Sequence, residues 1–185
     1  MAERADARRN RERLLATAAA AFAESDGPVS LEGIARDAGV GIGTLYRHFP
    51  NREALIEAVY RSELAEVSAT AADLVGRYPP PAALRRWMDR YATFVAAKKG
   101  MAESLRTIFE SGAVDHCDSR ASVFAAVQTL LDAGAADGSL RADVRADDVV
   151  FSLLGILLVS GSGEQSQRML DLLVAGVQAG AVAKH

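Results

Sequence analysis

The chain has 185 residues, enough for one domain or for a small domain joined to a larger one. Half of them are hydrophobic, which excludes a disordered chain, and a formal net charge of −3 excludes a uniformly basic polyanion binder. Aromatics make up only 6% and alanine is abundant; alanine loses little on entering a helix, whereas strands draw on β-branched and aromatic side chains, so composition favours helix.

Charge is uneven from the start. Arg4, Arg8, Arg9, Arg11 and Arg13 outnumber Glu3, Asp6 and Glu12, so a basic arm precedes an acidic body. Such an arm suits local contact with phosphate, and equally a solvated helix start. Residues 7–24 read as a first helix, with Leu14, Ala18 and Phe22 spaced by four and Leu15 beside them. Ser25-Asp26-Gly27-Pro28 stops it. Ser30 is a suitable N-cap for a second helix over 31–38, Glu32 suits its dipole, and Gly39 ends it. A third helix covers 42–49 and stops at Pro50, after which Asn51 can cap a fourth that begins at Arg52. That fourth helix carries Leu55, Ile56, Val59, Tyr60 and Leu64 and runs to about residue 70.

Tyr78-Pro79-Pro80-Pro81 is the clearest break, and Pro81 can open a fifth helix with Leu84, Trp87, Met88, Tyr91 and Val95 on one face. Gly100 ends it, and a short sixth helix spans 101–111. After the polar Asp115–Asp118, a loop or a helix start, a seventh helix turns Val123, Val127, Leu130 and Leu131 inward and ends by Gly138. Two apolar helices, about 146–160 and 165–179, close the chain around Gly161-Ser162-Gly163. No segment alternates as a half-buried strand. The expected fold is all-α, about nine helices in two groups: an N-terminal three-helix helix-turn-helix domain over 1–52 and a larger helical domain over 53–185.

Residues 30–49 are the most informative stretch. Two short helices meet at Gly39, and Leu31, Ile34, Ala35, Val40, Leu45 and Phe49 can pack inward. The second of them then turns Gly41, Ile42, Gly43, Thr44, Tyr46, Arg47 and His48 outward. A soluble helix gains little by showing Ile and Tyr to water. In a major groove the same atoms meet thymine methyls, base edges and phosphates, and Gly41 and Gly43 let the backbone come close.

The run from Leu31 to Tyr60, with Gly-Thr-Leu-Tyr-Arg-His-Phe at its centre followed by Asn-Arg-Glu-Ala-Leu-Ile, resembles the TetR family of bacterial regulators. The likeness is strong over about residues 10–60. The ending, Val149–Leu173, looks like the C-terminal domain of the SbtR-like actinobacterial branch. The resemblance implies a dimeric repressor that binds palindromic double-stranded operator DNA and is released by a small-molecule effector. It implies phosphate contacts from Ser30, Thr44, Tyr46, His48 and Arg52, and base readout from Ile42, Gly43 and Arg47. Gly41 and Gly43 offer fewer side chains than many members have, which shifts readout toward Arg47, Tyr46 and DNA shape. Arg8, Arg9 and Arg11 of the basic arm complete the expected DNA surface.

The resemblance also implies that the larger domain binds the effector and dimerises. The last two helices are too apolar to stay exposed, so Val150, Leu153, Leu154, Leu157 and Leu158 are expected to pair with Leu170, Leu173, Val174 and Val177 in a four-helix bundle of two subunits, or else within one subunit. Trp87, Tyr91, Phe94, Phe109, Phe124 and Phe151, with His116 and Gln128 as polar anchors, are candidate ligand contacts; aromatics at helical spacing also serve as plain core.

No nucleophile elbow, phosphate loop, metal pair or acid–base dyad appears, so an enzyme is not expected. A partner-binding protein that has lost its ligand response is the other alternative. Asp115-His116-Cys117-Asp118 reads as a polar connection rather than a metal site, and no cofactor is implied. A lone cysteine, Cys117, and the lack of an apolar signal core fit a reducing cytoplasm. The apolar stretch Val149–Val159, broken by Ser152 and Gly155, is far below the roughly 20 residues that span a bilayer.

Overall fold

A computed structural model of the chain describes residues 2–24, 29–97 and 116–178. Among these residues there are eight helices: α1 (Ala2–Glu24), α2 (Leu31–Asp37), α3 (Ile42–His48), α4 (Arg52–Val75), α5 (Pro80–Ala97), α6 (His116–Asp137), α7 (Ala146–Val159) and α8 (Gly163–Val177). The all-α expectation is met. The expected sixth helix over 101–111, the Ser25–Pro28 stop and the Gly100 stop lie outside the described residues. No described helix is long and apolar enough to cross a membrane.

Helix ends differ from the sequence reading where local chemistry extends them. Helix α1 starts at Ala2 rather than near residue 7, since the arm holds no breaker and spaces its charges for i,i+3 and i,i+4 pairing, Asp6 with Arg9 and Arg8 with Glu12. Helix α5 starts at Pro80, one residue early. The Pro79 carbonyl accepts from the Ala83 N–H at 2.9 Å, and Pro80 and Pro81 fill first-turn positions whose N–H groups have no helical partner anyway. Helix α8 starts at Gly163, because Ser162 caps it by accepting from the Gln165 N–H at 3.2 Å. Of the Asp115–Asp118 stretch, His116, Cys117 and Asp118 open α6, and Asp115 lies outside the described residues.

The chain divides into two compact units: α4 passes from the first to the second between Glu63 and Leu64, and the second holds α5 as far as Val95 and the chain from Cys117. The core of the first unit gathers Leu14, Ala18 and Phe22 of α1, Ile34 and Ala35 of α2, Leu45 of α3, Phe49, and Leu55, Ile56 and Val59 of α4.

In the second unit α5 buries Ala83, Leu84, Trp87, Met88, Tyr91 and Phe94. Trp87 is fully buried, its indole N–H donates to the Val67 carbonyl at 3.1 Å, and its ring stacks on Tyr91 at 5.4 Å. Phe94, not the neighbouring Val95, completes the buried stripe. Arg85 binds α5 to α8. Its guanidinium pairs with Asp89 on its own helix and donates to Asp171 at 2.7 Å and to Gln167 on α8. Desolvation opposes its charge, and the hydrogen bonds and attraction from Asp89 and Asp171 more than offset that, so its pKa stands above the ordinary arginine value.

After α6 the chain turns at Gly138, whose φ of +77° suits only glycine comfortably, and Leu140 folds back onto Gly134. The Leu140 N–H donates to the Gly134 carbonyl at 3.0 Å, and the Arg141 N–H donates to Val177 at 2.9 Å, which ties this segment to the end of α8. A Cβ on Gly134 would lie 2.7 Å from the Leu140 Cβ. Gly134→Ala should therefore destabilise the chain by about 1–3 kcal/mol through overpacking. A thermal melt checks this, and an unchanged Tm would mean that Leu140 is not seated on α6.

Candidate nucleic-acid interface

The turn between α2 and α3 is closed by backbone geometry. Gly39 has φ +66°, its N–H donates to Arg36, and the Val40 N–H donates to Ala35, both at 2.9 Å. This is the Schellman arrangement, which satisfies the last carbonyls of α2 and reverses the chain in a few residues. Ser30 caps the other end of α2, accepting from the Gly33 N–H at 3.2 Å while its hydroxyl donates to Glu32. Asn51 does the same for α4, accepting from the Ala54 N–H at 2.8 Å.

Helix α3 has seven residues, too few to be stable alone. Its orientation comes from Leu45, fully buried, and from Phe49 just past its end. Anchoring on that side fixes what faces away. Ile42 is 37% exposed and Tyr46 44%, with Gly41, Gly43 and Arg47 on the open surface and Thr44 and His48 half-buried. Nothing in the chain comes within 4 Å of a Cβ added at Gly41 or Gly43, and neither has positive φ. Neither packing nor backbone requires glycine there. Gly41 is the N-cap of α3, a position that favours glycine over alanine, whereas Gly43 lies inside the helix and costs about 1 kcal/mol relative to alanine.

The arginines fall into two groups. Arg47 lies back on its own helix, donating to the Gly43 carbonyl at 3.2 Å and the Thr44 hydroxyl at 3.4 Å. Arg8 and Arg9 hold only exposed pairs with Glu12 and Asp6, and such pairs are worth little, so both are free to re-aim. Arg11 and Arg52 do structural work. The Arg11 guanidinium sits 5.3 Å from the centre of the Phe49 ring. Arg52 donates to the Val29 carbonyl at 2.6 Å and lies over the Phe22 ring, pinning the approach to α2.

His48 turns aside into a cleft of about 440 Å³ that it lines with Arg11, Phe49, Glu57 and Arg61. Arg13 was named in the basic arm but not among the expected contacts. It lies 3.7 Å from where a Gly39 Cβ would be, so its guanidinium reaches the turn itself. Only the folding of α1 against α2 and α3 brings residues so far apart in sequence together.

The other expected site residues scatter. Trp87, Tyr91 and Phe94 are core. Phe124 is half-buried and meets the half-exposed Phe151 edge-on at 6.1 Å, and the exposed Gln128 donates to Asp132 at 2.7 Å. Phe109 and the side chain of His116 lie outside the described residues. Of the six that are described, none lines this cleft or the one beside Tyr78. On α7 and α8, Val150, Leu153, Leu170, Val174 and Val177 are buried inside the one chain, where α7 packs on α8, and are closed to a partner. Leu154, Leu157 and Leu173 are half-buried, while Leu158, Val159 and Leu172 are more than 70% exposed.

Residues 14–59 match a family model described as bacterial regulatory proteins, tetR family, and residues 79–179 match one described as transcriptional regulator SbtR-like, C-terminal domain. Among solved structures, the chain is similar to a TetR transcriptional regulator of Streptomyces coelicolor, with 43% identity over 92% of this chain and 99% of that one and a TM-score of 0.77. It is similar to a TetR transcription regulatory protein of Mycobacterium vanbaalenii, with 32% identity over 95% and 99% and a TM-score of 0.74. At 19% identity, the repressor of a Stenotrophomonas maltophilia multidrug efflux pump shares the fold, covering 94% and 93% with a TM-score of 0.63. No curated protein sequence matches.

Gly43→Ala separates folding from recognition. The variant should be as stable as the parent or up to about 1 kcal/mol more stable, since alanine favours helix. Its affinity for specific DNA should fall at least about tenfold, because the added methyl stands where the backbone must approach. Anisotropy titration beside a thermal melt reads both, and unchanged affinity would show that the strip does not touch DNA.

Proposed function

Because the chain belongs to the TetR family of bacterial transcriptional regulators, with a helix-turn-helix DNA-binding domain at its N-terminal end, we propose that it represses transcription by binding a palindromic operator as a homodimer and leaves that operator when a small-molecule effector binds. The observation that carries the reading is the outer surface of α3. Ile42 and Tyr46 are exposed, Arg47 is beside them, and Gly43 has no reason inside the chain to be glycine. An α-helix fits the major groove, Ile42 suits a thymine methyl, and an Arg47 that leaves its own helix reaches a guanine edge. Tyr46, Thr44, Ser30, Arg8 and Arg9 supply phosphate contacts, which position the protein without reading sequence.

The homodimer is supported by the apolar side of α7 and α8. Phe151, Leu158, Val159 and Leu172 are exposed by 52–77%, a surface that water disfavours and a second copy covers. The occupied face is then formed by these residues with Leu154, Leu157 and Leu173, and a two-fold axis through it presents two copies of α3 to two half-sites. Effector release is supported only by the family and by the continuity of α4, one helix that begins at Arg52 in the first unit and ends at Val75 in the second.

Selection from a random double-stranded DNA library at fixed, near-physiological salt tests the reading. The parent chain should enrich a palindrome, and Tyr46→Ala/Arg47→Ala should not, since the Arg47 base contact is worth about 1–3 kcal/mol of discrimination and the Tyr46 phosphate contact holds α3 in register. Leu158→Glu/Leu172→Glu should sediment as a monomer and also enrich nothing. Equal enrichment by the parent and the α3 variant would overturn the recognition role of α3; an asymmetric single site would overturn the dimer.

A further inference from the structure

At the end of α4 the chain bends through Arg77 and Tyr78 into α5, and the elbow borders an open cleft of about 300 Å³. Asp73 lines it from α4, Arg77 and Tyr78 from the turn, and Arg86, Asp89 and Arg90 from α5. All belong to the second unit. Its chemistry is unlike the aromatic pocket expected from sequence. Three guanidiniums converge on one concavity. Asp89 already pairs with Arg85, and among the described residues no carboxylate pairs with Arg77, Arg86 or Arg90. The elbow therefore keeps a surplus of positive charge with hydrogen-bond donors unused.

One of the three is held in place beforehand. The Arg86 guanidinium lies over the Tyr78 ring, 4.2 Å from its centre. Stacking of this kind fixes the plane of the fork, so less freedom is lost when its N–H groups meet an acceptor. A carboxylate or phosphate has the paired oxygens that such forks bind, and an isolated cleft of this size takes a small metabolite rather than a chain. Asp73 is exposed on the same rim and can accept a hydrogen bond, so a ligand that carries a donor beside its anionic group complements the site best.

We propose that the α4–α5 elbow is a binding site for a compact organic anion, a carboxylate or phosphate monoester that also bears a hydroxyl or ammonium group. The anion lies among Arg77, Arg86 and Arg90, and its donor group meets Asp73. The site does not depend on the DNA-binding reading, since every group in it lies in the second unit.

Calorimetry on the full chain, in a low-salt buffer whose only small anion is chloride, tests this with malate and glycerol 3-phosphate as probes. At least one should bind saturably at one site per chain, and which of them binds separates carboxylate from phosphate recognition. Arg77→Ala/Arg90→Ala should weaken binding at least about tenfold, a loss of about 1.4 kcal/mol. Arg145→Ala/Arg168→Ala removes two exposed arginines elsewhere in the same unit and should leave affinity within about twofold of the parent. Both arginines of the test pair are exposed, so the melting temperature should hold and report an intact fold. Failure of both probes to saturate, or equal weakening by the two double variants, would overturn the proposal.

Discussion

The burial of Leu45 is the contact on which the DNA-binding unit depends. Seven residues do not make a stable helix in water, so α3 exists because Leu45 is buried in the core shared by α1, α2 and α4 and because Phe49 follows it in. That anchor sets the rotation of the helix about its own axis. A different anchor would turn Ile42, Tyr46 and Arg47 toward the core and show apolar atoms instead. The Schellman turn at Gly39 and the Arg52–Val29 hydrogen bond serve the same end, since they hold the segments on either side of α2 at fixed angles.

The surfaces of the molecule follow from different physics. On α3 the exposed groups are few, mixed and shallow, with glycines where side chains would obstruct. On α7 and α8 the exposed groups are large and apolar, which suits a face covered by a like face. At the elbow the exposed groups are cationic and concave. Each surface excludes the others' partner: a bare strip gives little area for a stable dimer, leucines give nothing to a phosphate, and clustered arginines repel a second copy of themselves.

Helices were legible from the sequence wherever apolar spacing met a clear stop, as from Leu14 to Phe22 and from Leu84 to Tyr91. The turn at Gly39 was legible because positive φ selects glycine. Helix starts were less so. Ser162 and Pro79 act as caps through one side-chain oxygen and one carbonyl, and neither leaves a periodic trace. On the last two helices periodicity marked apolar faces without saying which leucines face the chain's own core. Leu153 is inside and Leu158 outside, and only the packing of α7 on α8 decides it. The aromatic spacing did not separate core from ligand contact. Trp87 is fully buried, and the Val67 carbonyl, twenty residues away on α4, accepts from its indole N–H. The elbow was invisible because Arg77 and Arg90 are ordinary surface arginines until the turn at Tyr78 brings them to one hollow.

If two copies of α3 read two half-sites of one duplex, hydroxyl-radical footprinting of the bound chain on an enriched DNA site should show two protected patches related by a two-fold axis, centred about one helical turn or a multiple of it apart, roughly 10 base pairs per turn, with both patches fading together in Gly43→Ala. A single protected patch, or a pattern that Gly43→Ala leaves unchanged, would contradict that reading.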